Sequence, residues 1–284
     1  MQNIKLPGSL VTVQWLANHL SADNLVLLDA SMPPLATAGN PTTPSIPAYI
    51  PGSLRFDFDR EIRDKSTSLP HMMPTPEFFT DEMQKMGINR DSAIVVYDDV
   101  GIYASPRAWW MFRAMGHDQV AVLDGGLPAW VSAGLETSPD LRSLPGERGD
   151  FVSKLQPALF VDSNQVLKAL NDPSFSVLDA RSEGRFKGLE PEPRPGLRGG
   201  HMPNSVNLPY ARVVENGLMS SETSLHSLFQ SYKDRNLIFS CGSGVTACIL
   251  ALAAERAGLK NLAVYDGSWS EWGLPSSNMP VETG

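Results

Sequence analysis

Cys241, Gly242, Ser243, Gly244, Val245 and Thr246 set one thiol at the mouth of a glycine-bearing turn, between the apolar run 237–239 and a helical pattern. Two glycines beside the cysteine let the backbone curl, and a curled turn entering a helix aims several N–H groups at one point. Such a cradle favours an anion, and the anion can be the Cys241 thiolate itself, a nucleophile near neutral pH. A polar loop of this kind is expected to hold Cys241 open to solvent. The competing interpretation, an inert core cysteine, suits Cys248 better. Val245, Cys248, Ile249 and Leu252 follow the i, i+3, i+4, i+7 spacing of one apolar helix face.

The spacing of the two thiols is neither a Cys-x-x-Cys redox pair nor, with any of the five histidines, a zinc pattern, so neither a disulfide nor a metal is expected. A chain of 284 residues, 42% hydrophobic and 19% charged, is long enough for two medium domains. Its net charge of −8 argues against nucleic acid or an anionic membrane surface as the main partner. Residues 1–20 lack a basic stretch followed by an apolar one, and no run approaches the roughly 18 apolar residues of a membrane span. With only two cysteines, the expected location is the cytoplasm.

The elements that must position the thiol occur twice, at an offset of about 150 residues. Leu27-Leu28-Asp29-Ala30 answers Val177-Leu178-Asp179-Ala180, and Tyr49-Ile50-Pro51-Gly52-Ser53 answers His201-Met202-Pro203-Asn204-Ser205. The apolar run 93–97 before Asp98 answers 237–240 before Cys241, and Asp124-Gly125-Gly126 answers Asp266-Gly267-Ser268. Short apolar strands alternating with helical stretches predict an α/β fold, each half a mainly parallel sheet covered by helices on both faces. Ser105-Pro106 is expected to serve as N-cap and first residue of one helix, with Gly116 and Gly258 as stops. Residues 136–157, rich in Pro, Gly, Ser and charge, read as a linker, and residues 31–47, with five prolines and no charge, as a long surface loop. The expected division is therefore a domain over 1–138, a linker over 139–157 and a second domain over 158–284. Only the second carries the thiol. Asp98 stands at the cysteine position of the first, which would then be non-catalytic and serve as a wall of the cleft. In open α/β sheets sites lie beyond the carboxyl ends of the strands, where Cys241 falls.

These residues resemble the two-domain rhodanese family, and within it the 3-mercaptopyruvate sulfurtransferase branch, over nearly the whole chain. In that branch the loop reads Cys-Gly-Ser-Gly-Val-Thr, as 241–246 do here, whereas thiosulfate-preferring members look like Cys-Arg-Lys-Gly-Val-Thr. The resemblance implies two tandem rhodanese-like domains and a substrate cradle of Gly242, Gly244, Val245 and Thr246. It also implies carboxylate-binding roles for Arg185 in Gly184-Arg185-Phe186 and Arg194 in Glu192-Pro193-Arg194. The residues agree in sign: from Arg181 to Arg198 five basic residues face three acids in an otherwise acidic chain. A guanidinium fork suits a carboxylate with a neighbouring carbonyl. The resemblance further implies a relay of Ser243, His71 and Asp59 beside the cysteine. Departures occur at Asn204, where the family has glycine after His-x-Pro, at Ala48-Tyr49 in place of Gly-His, and at Ser31, opposite Arg181. Asparagine tolerates left-handed backbone better than most residues.

The implied reaction is attack of the Cys241 thiolate on the sulfur of 3-mercaptopyruvate, release of pyruvate, and passage of the persulfide sulfur to a thiol, thioredoxin or cyanide. It needs no cofactor. A monomer is the default state, since the duplicated halves can pack as an internal pseudo-dimer. Thiosulfate to cyanide transfer is the rival on the same scaffold, and Gly242 and Ser243 lack the cations it would use. A cysteine phosphatase or arsenate reductase would need an arginine where Ala247 stands. The last rival is a rhodanese-like module that binds without catalysis.

Overall fold

The computed structural model describes residues 3–32 and 48–284. The proline-rich loop reading therefore falls outside the described residues except at its first two positions. In chain order the first half runs β1 (Leu10–Val11), α1 (Val13–His19), β2 (Leu25–Asp29), β3 (Leu54–Arg55), α2 (Pro76–Lys85), β4 (Ala93–Tyr97), α3 (Ser105–Ala114), β5 (Val120–Leu123) and α4 (Gly126–Ser132). The second runs β6 (Phe160–Val161), α5 (Ser163–Ala169), β7 (Phe175–Asp179), α6 (Glu183–Phe186), β8 (Val206–Asn207), β9 (Val214–Glu215), β10 (Leu218–Met219), α7 (Glu222–Phe229), β11 (Asn236–Ser240), α8 (Ala247–Arg256), β12 (Leu262–Tyr265) and α9 (Ser268–Trp272).

The repeat in sequence is a repeat in topology. One five-stranded sheet has the order β1-β5-β4-β2-β3 and the other β6-β12-β11-β7-β8, all pairs parallel. Leu25 pairs with Ala93 through to Asp29 with Tyr97, and Phe175 with Asn236 through to Asp179 with Ser240, so Asp98 and Cys241 leave equivalent strand ends. Central parallel strands are buried on both faces, and this is why β4 and the middle of β11, residues 237–239, are continuous apolar runs. The helix after each is buried along its length. Every residue of α3 but Arg113 is buried, as are residues 247–254 of α8. Among the described residues, apolar clusters form around Leu27, Val95, Tyr97 and Trp130 and around Val177, Ile238, Tyr265, Trp269 and Trp272.

Local chemistry fixes the helix ends. Thr12 accepts from Trp15 N–H before α1, and Asp162 with Gln165 forms a capping box before α5. Gly116 and Gly258 end α3 and α8 in the same way: their N–H groups bond Arg113 and Glu255 carbonyls, and the following residues, His117 and Leu259, reach Phe112 and Ala254. At the start of α3 the expected cap is corrected. Ser105 is the first helical residue and its hydroxyl donates to Asp98 at 2.8 Å, because the Asp98 carboxylate already serves the orphan N–H groups there.

The chain divides into two compact units. The first comprises Met1–Arg63, Pro74–Gln156 and Asn216–Leu218; the second comprises Asp64–Met73, Pro157–Glu215 and Met219–Gly284. Residues 139–156, read as part of a linker, lie against the first unit through main-chain bonds: Arg142 N–H to Ser53, Gly149 to Gln84, Phe151 to Ile88 and Lys154 to Met115. Such a strap needs no periodicity of its own, because the donors and acceptors are backbone groups. Within the first unit, a Cβ on Gly101, whose φ is 106°, would fall 2.7 Å from Gly217 Cα. Glycine at both positions lets the Ile102 N–H reach the Gly217 carbonyl at 2.8 Å.

Candidate active site

The thiol stands at the carboxyl end of β11, and α9 pins the turn that follows. Cys241 N–H donates to Ser268 Oγ at 3.2 Å, and the Cys241 carbonyl accepts from Trp269 N–H at 3.0 Å. The Gly242 carbonyl accepts from both the N–H and the hydroxyl of Ser270, at 2.8 and 2.7 Å. Ser268 adopts a φ of 46°, a left-handed backbone at a non-glycine residue, and donates its hydroxyl to Tyr265 O at 2.8 Å. This anchoring corrects one expectation: Cys241 is not held open but is 2% exposed, drawn down against α9 through its own carbonyl. The helical ladder of α8 begins with Cys248 N–H to Val245 O and Ile249 N–H to Thr246 O, so the N–H groups from 242 to 247 precede it. Gly244, with φ 75°, provides the sharp turn that gathers them. Cys248 is buried in α8 with its thiol 3.2 Å from Gly244 O.

Two guanidinium groups converge on this turn. A methyl built on Gly242 would lie 3.0 Å from Arg185 Nη2 and 3.8 Å from Arg194 Nη1. The missing side chain at 242 thus gives Arg185 room for its close approach, while Arg194 stands at ordinary contact distance. Arg185 projects from α6, whose start Ser182 caps by accepting from the Arg185 N–H. Its Nη2 donates to Glu192 Oε2 at 2.6 Å and its Nε to Oε1 at 3.3 Å. Glu192 Oε1 also accepts from Arg181 Nη1 at 2.8 Å, and Arg181 grips Asp179 through Nε and Nη2. The Arg181 guanidinium is fully buried and lies 4.1 Å from the Trp269 ring centre. Burial alone would push Arg181 down, but Asp179 and Glu192 outweigh it and hold the cation charged above its ordinary value.

The basic segment therefore splits by role. Arg198 turns away to the carbonyls of Trp272, Gly273 and Met279, a fastening for the end of the chain. Lys187 pairs with Glu183 on the surface.

His71 belongs to the second unit together with Ser243. Its Nδ1 lies 3.1 Å from Ser243 Oγ, and both residues are buried. The segment that carries it is fastened by Met73 N–H donating to Asp266 Oδ2 at 2.8 Å, and His71 itself has a φ of 62°. Asp59 falls in the first unit, partly exposed, with its carboxylate 3.9 Å from Arg60 Nε. Val245 is buried and Thr246 occupies the cap position of α8. Asn204 takes φ 59°, as its replacement of glycine requires, and the matching Gly52 takes 84°.

Sequence reasoning passed over Glu192, Asp266, Ser268 and Ser270. The signal for Asp266 and Ser268 was present: Asp-Gly-Ser-Trp recurs in form as Asp-Gly-Gly in the first half, and a motif that closes both halves has a geometric task in each.

Comparison with known proteins gives one answer along the chain. The rhodanese-like domain matches residues 12–133 and again 162–274. The 3-mercaptopyruvate sulfurtransferase of Escherichia coli K12 is 37% identical over 277 residues, spanning 96% of this chain and 97% of that protein. The mitochondrial thiosulfate/3-mercaptopyruvate sulfurtransferase 1 of Arabidopsis thaliana is 38% identical over 297 residues, spanning 96% of this chain and 78% of that protein. The crystal structure of SseA from Escherichia coli, described as a 3-mercaptopyruvate sulfotransferase of rhodanese fold, superposes with a TM-score of 0.80 and 34% identity, covering 93% of this chain and all of that one.

Proposed function

The chain belongs to the rhodanese family, and from that premise we propose that it is a sulfurtransferase taking the sulfur of 3-mercaptopyruvate onto Cys241 and passing it to an acceptor nucleophile. The observation that supports the choice of donor is the convergence of Arg185 and Arg194 over Gly242, an arrangement that suits a carboxylate with an adjacent carbonyl.

The Cys241 thiolate attacks the donor sulfur. The carbon–sulfur bond breaks with its electron pair going to carbon, so that the leaving group is the enolate of pyruvate. Negative charge grows on the keto oxygen, and the two guanidinium groups stabilise it more in the transition state than in the bound donor. Ser243, 3.1 Å from His71, is the candidate to deliver the proton that converts enolate to pyruvate, and Asp59 is the third member that the family resemblance implies for this relay. Cys241 is left as a persulfide. Its outer sulfur sits among the N–H groups of Gly242, Gly244, Val245 and Thr246, until a thiolate attacks it and restores the Cys241 thiolate.

Sulfur transfer requires a donor and an acceptor, and for the acceptor we propose a small thiol, thioredoxin or cyanide. No helix among the described residues is long and apolar enough to cross a membrane. A cytoplasmic monomer is the proposed state. Residues 158–284 are proposed as the domain that holds the catalytic thiol, with 1–138 as a domain without a thiol nucleophile, carrying Asp98 at that position.

The Arabidopsis relative's name includes thiosulfate, which makes that donor the second reading. Intact mass measurement after brief exposure to each donor separates them, with pyruvate assayed in the same tube. Gain of one sulfur from 3-mercaptopyruvate with pyruvate release, lost in Cys241→Ser, is the expected result. Loading by thiosulfate alone overturns the donor, and no loading by either overturns the catalytic reading in favour of a binding role.

A further inference from the structure

Of the two arginines over Gly242, Arg185 has a buried anchor. The Glu192 side chain is 2% exposed, and its two oxygens take the Nε and Nη2 of Arg185 side by side. A buried carboxylate of this kind is costly unless paired and hydrogen-bonded, and Glu192 is fixed from behind by Arg181. Arg181 in turn is held by Asp179 at the end of β7 and by the Trp269 ring. The alternating chain Asp179, Arg181, Glu192, Arg185 thus runs from the rigid sheet to the thiol turn, with each charge answered by the next.

The edge that Glu192 grips matters. Nη2 is the atom that approaches Gly242 to within 3.0 Å of a would-be Cβ, so the bond at 2.6 Å sets the position of the nitrogen nearest the turn. A free arginine side chain has rotamer entropy to lose on gripping a ligand. Bidentate pairing removes much of that freedom before the ligand arrives.

We infer that Glu192 is a positioning residue, whose carboxylate locks the Nε–Nη2 edge of Arg185 and so presets the remaining guanidinium N–H groups for an α-keto carboxylate. It acts through Arg185 and touches no reacting atom. The inference rests on the donor reading proposed above, and its larger effect falls on binding, with a smaller one on the sulfur step because Arg185 also meets the charge that grows on the keto oxygen.

The test compares wild type, Glu192→Gln and Glu192→Asp, each checked for an unchanged thermal unfolding transition. KM and kcat are measured for 3-mercaptopyruvate, and inhibition by pyruvate serves as an independent measure of carboxylate binding. Glu192→Gln keeps the shape and loses the charge. It is expected to raise KM and the pyruvate inhibition constant about tenfold while kcat changes less than about threefold. Glu192→Asp keeps the charge for Arg181 but cannot span both nitrogens, and should fall between. In an Arg185→Met background, Glu192→Gln should add less than about twofold, the non-additivity of residues that act as a unit. An unchanged KM in folded Glu192→Gln overturns the inference while the donor reading stands. Full additivity with Arg185→Met overturns it too, since Glu192 would then act by another route. Wild type that neither accepts sulfur from 3-mercaptopyruvate nor is inhibited by pyruvate overturns the donor reading, and the inference with it.

Discussion

The two strand-end turns of this chain, at Asp98 and at Cys241, begin from the same place in the same sheet topology and reach opposite outcomes. In the first, Asp98 folds its carboxylate back into the cradle. Oδ2 accepts from the N–H groups of Tyr103, Ala104 and Ser105 and from the Ser105 hydroxyl, and Oδ1 from Val100 N–H. Burial pushes the Asp98 carboxyl above its ordinary value, against the pull of the Tyr103, Ala104 and Ser105 donors. In the second, the side chain is a thiol, the N–H groups lie ahead of the helical ladder, and two cations look down on Gly242. An anion-gathering turn can thus close on its own carboxylate or be left for an anion that comes and goes. The residue at the strand end decides which.

The strongest way to break this contrast is to fill the space above the thiol. Arginine at Gly242 would direct a cation into the 3.0 Å gap before Arg185, like charge against like, and displace the fork from the turn. Gly242→Arg is expected to lower kcat/KM for 3-mercaptopyruvate by about a hundredfold, close to 2.7 kcal/mol of transition-state stabilisation. Alkylation of Cys241 should persist, which separates loss of the fork from loss of the nucleophile. Retention of full activity would mean that the convergence over Gly242 has no part in donor binding.

The first turn is tested through its carboxylate. Asp98→Ala relieves the desolvation of a buried charge but leaves three consecutive N–H groups, at 103–105, without the acceptor that now serves them. Stranded buried donors cost about 1–3 kcal/mol each, so the loss should win, with a net destabilisation on the order of 3 kcal/mol. Urea unfolding of the whole protein would show it as a lower midpoint for the first unit, while sulfur loading of Cys241 continues under native conditions. A stability change within about 0.5 kcal/mol would show that water replaces the carboxylate without loss, and that the first cradle needs no internal anion.

Which parts of this contrast could be read in the chain follows from how local their causes are. The stretches 93–97 and 237–239 are uninterrupted apolar runs because central parallel strands have no solvent face, and the thiol turn announces itself through glycines beside a cysteine. Asp98 was legible as the residue aligned with Cys241, but its five bonds were not, since they depend on how residues 99–105 curl. Glu192 in a proline-rich stretch looks like one more solvated acid, and only its burial between Arg181 and Arg185 sets it apart. The strap over residues 139–156 escaped for a related reason: it is held by main-chain groups, which leave no side-chain pattern. That His71 stands beside Ser243 was implied only by family resemblance, and that its segment belongs with the second unit was not legible at all, because a contact between residues 71 and 243 has no local signature.

The smallest expected difference lies one helix away from the two turns. Gly116 and Gly258 end their helices alike, yet the next residue is His117 in the first unit and Leu259 in the second. His117 is buried among Phe112 and Phe151, with Nε2 2.9 Å from Ser92 O. Burial lowers its affinity for a proton below the ordinary value of 6.5, against the pull of the Ser92 and Gln119 backbone. Between that ordinary value and the lowered one, the unfolded chain binds the proton and the folded chain does not. Stability from this source is therefore complete above pH 6.5 and is lost as pH falls below it. Leu259 has no such dependence. Unfolding of the first unit followed from pH 7.5 to 5 should show a shallow decline that His117→Gln flattens, while thiol alkylation at Cys241 in the variant matches wild type. A pH profile of unfolding identical in wild type and variant would show that His117 titrates alike in both states, and the two helix ends would then be equivalent in charge as well as in shape.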